Sequence, residues 1–192
     1  MVYVSLDVEA SGPLPGFFDL LSVGAVAVRT GSGGHPAIVD DPLYIELKPH
    51  HGTADPEAMA VHGLDPKRLS REGLELDAAA QAIATWVGRV APESDPPVFV
   101  GYCANFDWAY INDLFHRTGL ENPFGYKALD IRSLALGLLG LPWEELRQER
   151  ILPLLELSPL DEAQAHNALA DARHQAEMLI RLLERAWNIR RA

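Results

Sequence analysis

The sequence is short of several things at once. Cys103 is its one cysteine in 192 residues, which excludes a disulfide framework and a thiolate zinc site. Lysine occurs at positions 48, 67 and 127 alone, and 16 basic side chains against 27 acidic ones leave a formal charge of −11. Proteins that grip long nucleic acid through many phosphates carry a basic face. This composition excludes a broad one, though not a short strand held locally. Arg181, Arg185, Arg190 and Arg191 are loosely spaced and read as a solvated helix face. No run approaches the roughly 18–20 apolar residues of a membrane span. The N-terminus lacks the basic flank and apolar region of a signal sequence. These absences predict a soluble, cytoplasmic protein with no membrane partner. There is no G-x-S-x-G elbow. The glycines of "RTGSGGHP" lack the Lys-Ser/Thr ending of a phosphate loop and read as a hairpin turn.

With 48% hydrophobic residues, the chain can bury the core of one domain, taken as 1–192. β-branched and aromatic residues predict a strand over 2–8, and apolar runs predict others over 20–28 and 43–47. The connections suit an antiparallel meander. "DPEAMAVHG" reads as a short helix, with Pro56 at its start and Gly63 past its end. Apolar spacing predicts a helix over 76–90. "VFVGY", 98–102, is a strand buried on both faces. Helices are expected over 107–117, 134–139, between Pro142 and Pro153, and over 167–187, with a fifth strand at "KALDI". The expected fold is α/β: a mixed five-stranded sheet, three strands antiparallel and two parallel, flanked by helices.

Within this frame the carboxylates stand out. "SLDVEASG" ends an apolar strand in Asp7 and Glu9, and alternate strand residues face one side. "ANFDWAYIND" puts Asp107 after a buried strand, and "AHNALADARHQAEM" carries His166 and Asp171. Each acid lies at an element's end, where open sheets build ligand sites. Two carboxylates about 4 Å apart repel by roughly 4 kcal/mol at an effective dielectric near 20. No lysine occurs in the three stretches, and Arg173 lies off the face of Asp171. If the four acids converge, hard divalent cations with oxygen ligands, Mg²⁺ or Mn²⁺, fit the set.

His166 and Asp171 are five residues apart, about 140° around a helix, so they cannot share a face of one. If both reach one site, His166 precedes the helix and Asn167 is its N-cap. An imidazole there suits a general base. His174, three residues past Asp171, is its rival, and spacing alone does not separate them. Cys103, ending a buried strand, reads as inert core. His50, His51 and His62 read as loop residues. Phe17, Phe18 and Trp108 default to core packing, yet Phe17 and Phe18 follow the carboxylate pair. A base stacked on them would gain roughly 1–3 kcal/mol without basic surface.

Taken together, "LDVEASG", "ANFD" and "HNALAD" resemble the three ordered motifs of the DEDDh family of 3′→5′ exonucleases, which share a ribonuclease-H-like fold. "DPEAMAVHGL" resembles the segment between the first two motifs, and "NPF" at 122–124 fits the ribonuclease T-like branch. Proofreading-subunit-like members are near as well. The resemblance implies a two-metal hydrolase releasing nucleoside 5′-monophosphates. In it Asp7 bridges two ions, Glu9 and Asp171 complete the first, and Asp107 holds the second. It also settles His166, over His174, as the base. Ala10, Asn105 and Phe106, with Phe17 and Phe18, are set beside the substrate. Ala10 stands where the family commonly has Thr, and Tyr102-Cys103 where it has His-Asn. The expected substrates are single-stranded or short RNA or DNA 3′ ends, leaning to RNA, and a homodimer is implied by analogy. The alternatives are a DNA-directed or proofreading-type enzyme and a non-catalytic nucleic-acid-binding module on the same fold. A purely structural subunit is expected to carry a docking tail, and this chain stops shortly after its last helix, at Ala192.

Overall fold

Alternation along the first strand sets the architecture. The computed structural model describes residues 1–31, 35–92, 94–161 and 165–191. In β1 (Val2–Ala10) the even residues Val2, Val4, Leu6, Val8 and Ala10 are buried in one core. Tyr3, Ser5, Asp7 and Glu9 therefore face the opposite side of the sheet. Around β1 lie β2 (Leu20–Arg29), β3 (Ala37–Glu46), β4 (Pro97–Gly101) and β5 (Ala128–Asp130), in the order β3-β2-β1-β4-β5. β1 to β3 pair antiparallel, and β4 and β5 join in parallel. This is the mixed sheet the patterning predicts.

Helices cover both faces. On one lie α1 (Pro56–His62), α2 (Pro66–Glu72), α3 (Leu76–Val90) and α4 (Ala104–Thr118). Ile83, Trp86 and Val87 of α3 and Tyr110, Ile111 and Leu114 of α4 pack there on the even residues of β1. On the other lie α5 (Ile131–Leu139), α6 (Gln148–Leu154) and α7 (Ala168–Arg191). Ile131, Ile151, Leu179 and Leu182 close that second core. No helix among the described residues is long and apolar enough to cross a membrane.

Several boundaries differ from expectation for local reasons. β3 starts at Ala37 rather than 43, although Asp41 and Pro42 read as breakers. It is an edge strand, where a missing N–H costs nothing, and it bulges itself: Leu43 and Val39 pair with Ala25 and Ala27, so residues 40–42 stand opposite Val26 alone. α2, as short as α1, was not expected, although its start is marked in the same way. Its Asp65 N-cap and Pro66 start repeat the signature of α1. α4 begins at Ala104, so Asp107 completes its first turn rather than opening it. α5 begins at Ile131, because the Asp130 carboxylate caps it through Ser133 N–H at 2.7 Å. The turn expected over 29–36 lies partly outside the described residues. In the C-terminal helix, Arg181 pairs with Glu184 and Arg185 donates to Leu154 O at 3.1 Å, while the side chains of Arg190 and Arg191 are outside the described set.

Candidate active site

β1 has β2 as an antiparallel neighbour along its whole length, but its parallel pairing with β4 stops at Ser5, so its C-terminal end runs on past that strand. Asp7 and Glu9 face the α7 side. Asp171 reaches them because the first turn of α7 lies directly on β2 at Gly24, the register partner of Asp7. A Cβ at Gly24 would stand 2.2 Å from the backbone of Ala168 and Leu169, so only glycine admits the helix at this height. The result is a group of three carboxylates, Asp7, Glu9 and Asp171, one oxygen of each lying within 4.8 Å of the other two.

Asp107 enters from the opposite layer. It is 4% exposed, and its Oδ1 accepts from Val8 N–H at 3.2 Å, between Asp7 and Glu9. It stands beside the three-carboxylate group rather than within it. The other side of that group is braced by Gln175, one helical turn past Asp171. Its Nε2 donates to Asp7 Oδ1 at 2.7 Å, and its Oε1 accepts from Tyr102 N–H at 3.0 Å. Sequence reasoning missed Gln175. Its spacing of four from Asp171 was the available signal.

Burial and mutual repulsion govern the charges. Burial first, then the charges of Asp171 and Asp107, raise Glu9 to about 8. Burial raises Asp107 to about 7 against the bond from Val8, with Asp130 and Asp171 adding to the rise. Asp7 is raised by burial and by Asp107, Glu9 and Asp171, with Gln175 opposing. Asp171 is raised by burial, and His166 is the main opposing influence. Among the described residues no Lys or Arg nitrogen pairs with any of the four. At 4.8 Å each pair repels by roughly 3–4 kcal/mol at an effective dielectric near 20. An all-oxygen set of this kind, crowded and without a cation of its own, fits hard divalent ions.

The two histidines separate in space. Asn167 caps α7, accepting at Oδ1 from Leu169 and Ala170 N–H at 3.2 Å each. His166 precedes it, exposed, with φ of 62°. Its backbone N–H and its charge both favour ionised Asp171. His174 is 5% exposed, and its Nε2 lies 2.9 Å from Ser158 O.

The remaining candidates are scattered around this centre. Ala10 is 6% exposed, at the end of β1. Phe17 is 56% exposed and meets Phe18 edge-on, ring centres 5.0 Å apart, with Phe18 folded over Gly12. Phe106 tilts against Tyr110, and Asn105 is exposed on the first turn of α4. Trp108 is half-buried, with its Nε1 donating to Gly125 O at 3.3 Å. Cys103 is not core: its Sγ accepts from Arg132 at 3.5 Å, because the strand ends before it and turns outward into α4. His50 and His51 lie in a loop whose N–H groups donate to buried Asp19. His62 is the last residue of α1.

Residues 57–183 match the family described as the 3'-5' exoribonuclease Rv2179c-like domain. The chain is 37% identical over 184 residues to the 3'-5' DNA exonuclease Cap18 of Escherichia coli, covering 96% of this chain and 92% of that one. The chain belongs to the DEDDh 3′→5′ exonuclease family. This exonuclease is also 29% identical over 186 residues to ribonuclease T of Klebsiella pneumoniae subsp. pneumoniae, covering 95% and 84% of the two chains. Its fold matches the crystallographic structure of the nuclease domain of 3'hExo, a DEDDh family member bound to rAMP. That match has a TM-score of 0.77 at 14% identity, over 95% of this chain and 92% of that one. Members of the family use divalent metal ions, and the acidic group of this exonuclease could hold them.

Proposed function

We propose that the chain removes nucleoside 5′-monophosphates one at a time from the 3′ ends of single-stranded or short nucleic acid. The observation that carries this is the meeting of Asp7, Glu9 and Asp171 within 4.8 Å, with Asp107 alongside. Asp7, Glu9 and Asp171 would hold one Mg²⁺ or Mn²⁺, and Asp7 with Asp107 a second. Such ions, when bound, stabilise the attacking and leaving oxygens of an in-line displacement.

The chain's own residues do the rest. His166 accepts a proton from the attacking water, and that oxygen bonds to phosphorus. The bond from phosphorus to the 3′ oxygen breaks, and the leaving oxygen takes up a proton from solvent. Gln175 keeps Asp7 aimed while leaving its charge for a cation. Phe17 and Phe18 stack the terminal base, and Ala10, Asn105 and Phe106 line its path. Exposure of His166 on the segment before α7 supports its part, and so does the packing that occupies His174.

The sugar preference is pulled both ways. The matched family is described as exoribonuclease, and the 37% identical relative is a DNA exonuclease. We therefore take single strands of either sugar as substrates. The same reading treats 1–192 as one exonuclease unit, cytoplasmic and homodimeric; a solution mass of twice 21.1 kDa tests the dimer. The deciding experiment digests matched 5′-labelled ribo- and deoxyribo-oligomers with Mg²⁺ or Mn²⁺, beside Asp7→Asn. A ladder shrinking one nucleotide at a time, lost in the variant, is expected. No product from either sugar overturns the reading.

A further inference from the structure

A cavity of about 330 Å³ opens where β4 and β5 end, lined by Cys103, Ala104, Asn105, Asp130, Arg132 and Trp143 among others. It adjoins the carboxylates. Ala104 and Asp107 are three apart on one turn of α4, and the Oδ2 of Asp107 lies against Gly101, the register partner of Asp130. Tyr102, which follows Gly101, is tied through Gln175 to Asp7.

The cavity's cation is underused. Arg132 donates weakly to Cys103 Sγ at 3.5 Å, and its Nε is buried without a partner, as is the hydroxyl of Tyr102. Asp130, the carboxylate lining the same cavity, is already engaged by Ser133 N–H, the Ser133 hydroxyl and Ala104 N–H. The guanidinium instead faces two rings, Trp143 at 5.3 Å and Tyr102 at 5.9 Å. A guanidinium stacked on rings keeps its N–H edge free, and that edge matches a phosphate in a bidentate fork. The N-termini of α4 and α5 point their positive ends into the same space. Trp143 is 62% exposed, with ring surface left for a base.

Resting on the exonuclease reading above, we propose that this cavity is a subsite for the strand upstream of the scissile bond, with Arg132 holding a backbone phosphate and Trp143 stacking a base. In a chain of charge −11, one guanidinium placed on aromatic rings beside the cleavage centre supplies what a basic face would otherwise supply.

The test compares a dinucleotide, whose single phosphodiester is the scissile one, with a single strand of about twelve nucleotides, within the reach of such sites. Arg132→Ala and Trp143→Ala are expected to raise KM for the long strand about tenfold and to leave kcat within about twofold. Both should leave the dinucleotide unchanged. Arg132→Lys should recover part of the loss, and the salt slope of KM should fall by about one in Arg132→Ala. Unchanged KM at both lengths, or an equal rise at both, overturns the subsite while the enzyme reading stands. A wild-type chain that shortens neither substrate overturns both.

Discussion

Gln175 donates from Nε2 to Asp7 Oδ1 at 2.7 Å while its own oxygen holds Tyr102 N–H at 3.0 Å. The helix that delivers Asp171 therefore also aims Asp7, through a neutral amide that leaves the carboxylate's charge available. Residues that orient metal ligands typically cost 10–100-fold in metal affinity or activity when removed. Gln175→Ala should therefore raise the Mg²⁺ concentration for half-maximal rate about tenfold or more. Gln175→Glu should be worse, because it removes the donor and adds a fifth carboxylate. Rate measured against Mg²⁺ concentration checks this, and a wild-type titration curve for Gln175→Ala would refute it.

Gly24 controls the height of α7. A methyl group there would stand 2.2 Å from the carbonyl carbon of Ala168 and the nitrogen of Leu169, both backbone atoms. Backbone cannot swing aside as a side chain can. Overpacking of this kind costs about 1–3 kcal/mol, and relief comes by lifting the turn that carries His166 and Asp171. Gly24→Ala should lower the melting temperature by several degrees and cut kcat by more than the stability loss explains. A variant that melts early yet works at the wild-type rate would show that the site tolerates a displaced helix.

The three acidic stretches were readable because each acid sits at the end of a strongly patterned element. Alternation fixed Asp7 with Glu9, and the exclusion of His166 from the face of Asp171 placed it ahead of Asn167, the cap observed. The sheet followed from apolar runs and connection lengths. What stayed hidden depends on contacts across the fold. Nothing local marks Gly24 as the landing point of a helix 144 residues on, which the close approach to Ala168 reveals. Gln175 reads as an ordinary helix residue until Tyr102 and Asp7 are both beside it. Cys103 looked buried because "VFVGY" is apolar, yet the chain turns outward after Gly101 and gives the thiol to Arg132. α2 was missed although Asp65 and Pro66 mark its start as Asp55 and Pro56 mark that of α1.

The crowded acids give the metal-free protein a pH dependence of definite sign. Burial and neighbouring charge raise Glu9 to about 8 and Asp107 to about 7. The folded state thus keeps protons that the unfolded chain releases near pH 4. The stability this holds is fully present below about pH 4 and is lost as pH rises through about 7 to 8. In EDTA, the protein should melt at least about 2–4 °C lower at pH 8 than at pH 5, the shift expected per 1 kcal/mol at this size. Mn²⁺ or Mg²⁺ should restore the difference at pH 8 and do little at pH 5. Asp7→Asn removes one charge yet keeps an oxygen for Gln175, so it should raise the metal-free melting temperature at pH 8. Scanning calorimetry across pH checks all three, and a melting temperature that climbs from pH 5 to 8 in EDTA would contradict the sign.

The two histidines should fail in opposite ways. His174 is 5% exposed with Nε2 at 2.9 Å from Ser158 O, so His174→Ala removes that bond, leaves a void at a buried position and costs about 0.5–3 kcal/mol. At temperatures where that variant is folded, its rate should stay near wild type. His166 is exposed, with its backbone N–H serving Asp171, and is held at φ of 62°, a conformation that costs a side chain of its kind about 1 kcal/mol or more. Asparagine tolerates that backbone better. His166→Asn should therefore melt at or above the wild-type temperature while losing about 10²–10⁴ in kcat, the usual worth of a general base. A side chain whose removal relieves backbone strain and abolishes turnover is kept for chemistry rather than for folding. If His174→Ala is instead the inactive, well-folded variant and His166→Asn works normally, the base is His174 and the segment before α7 serves only to carry Asn167.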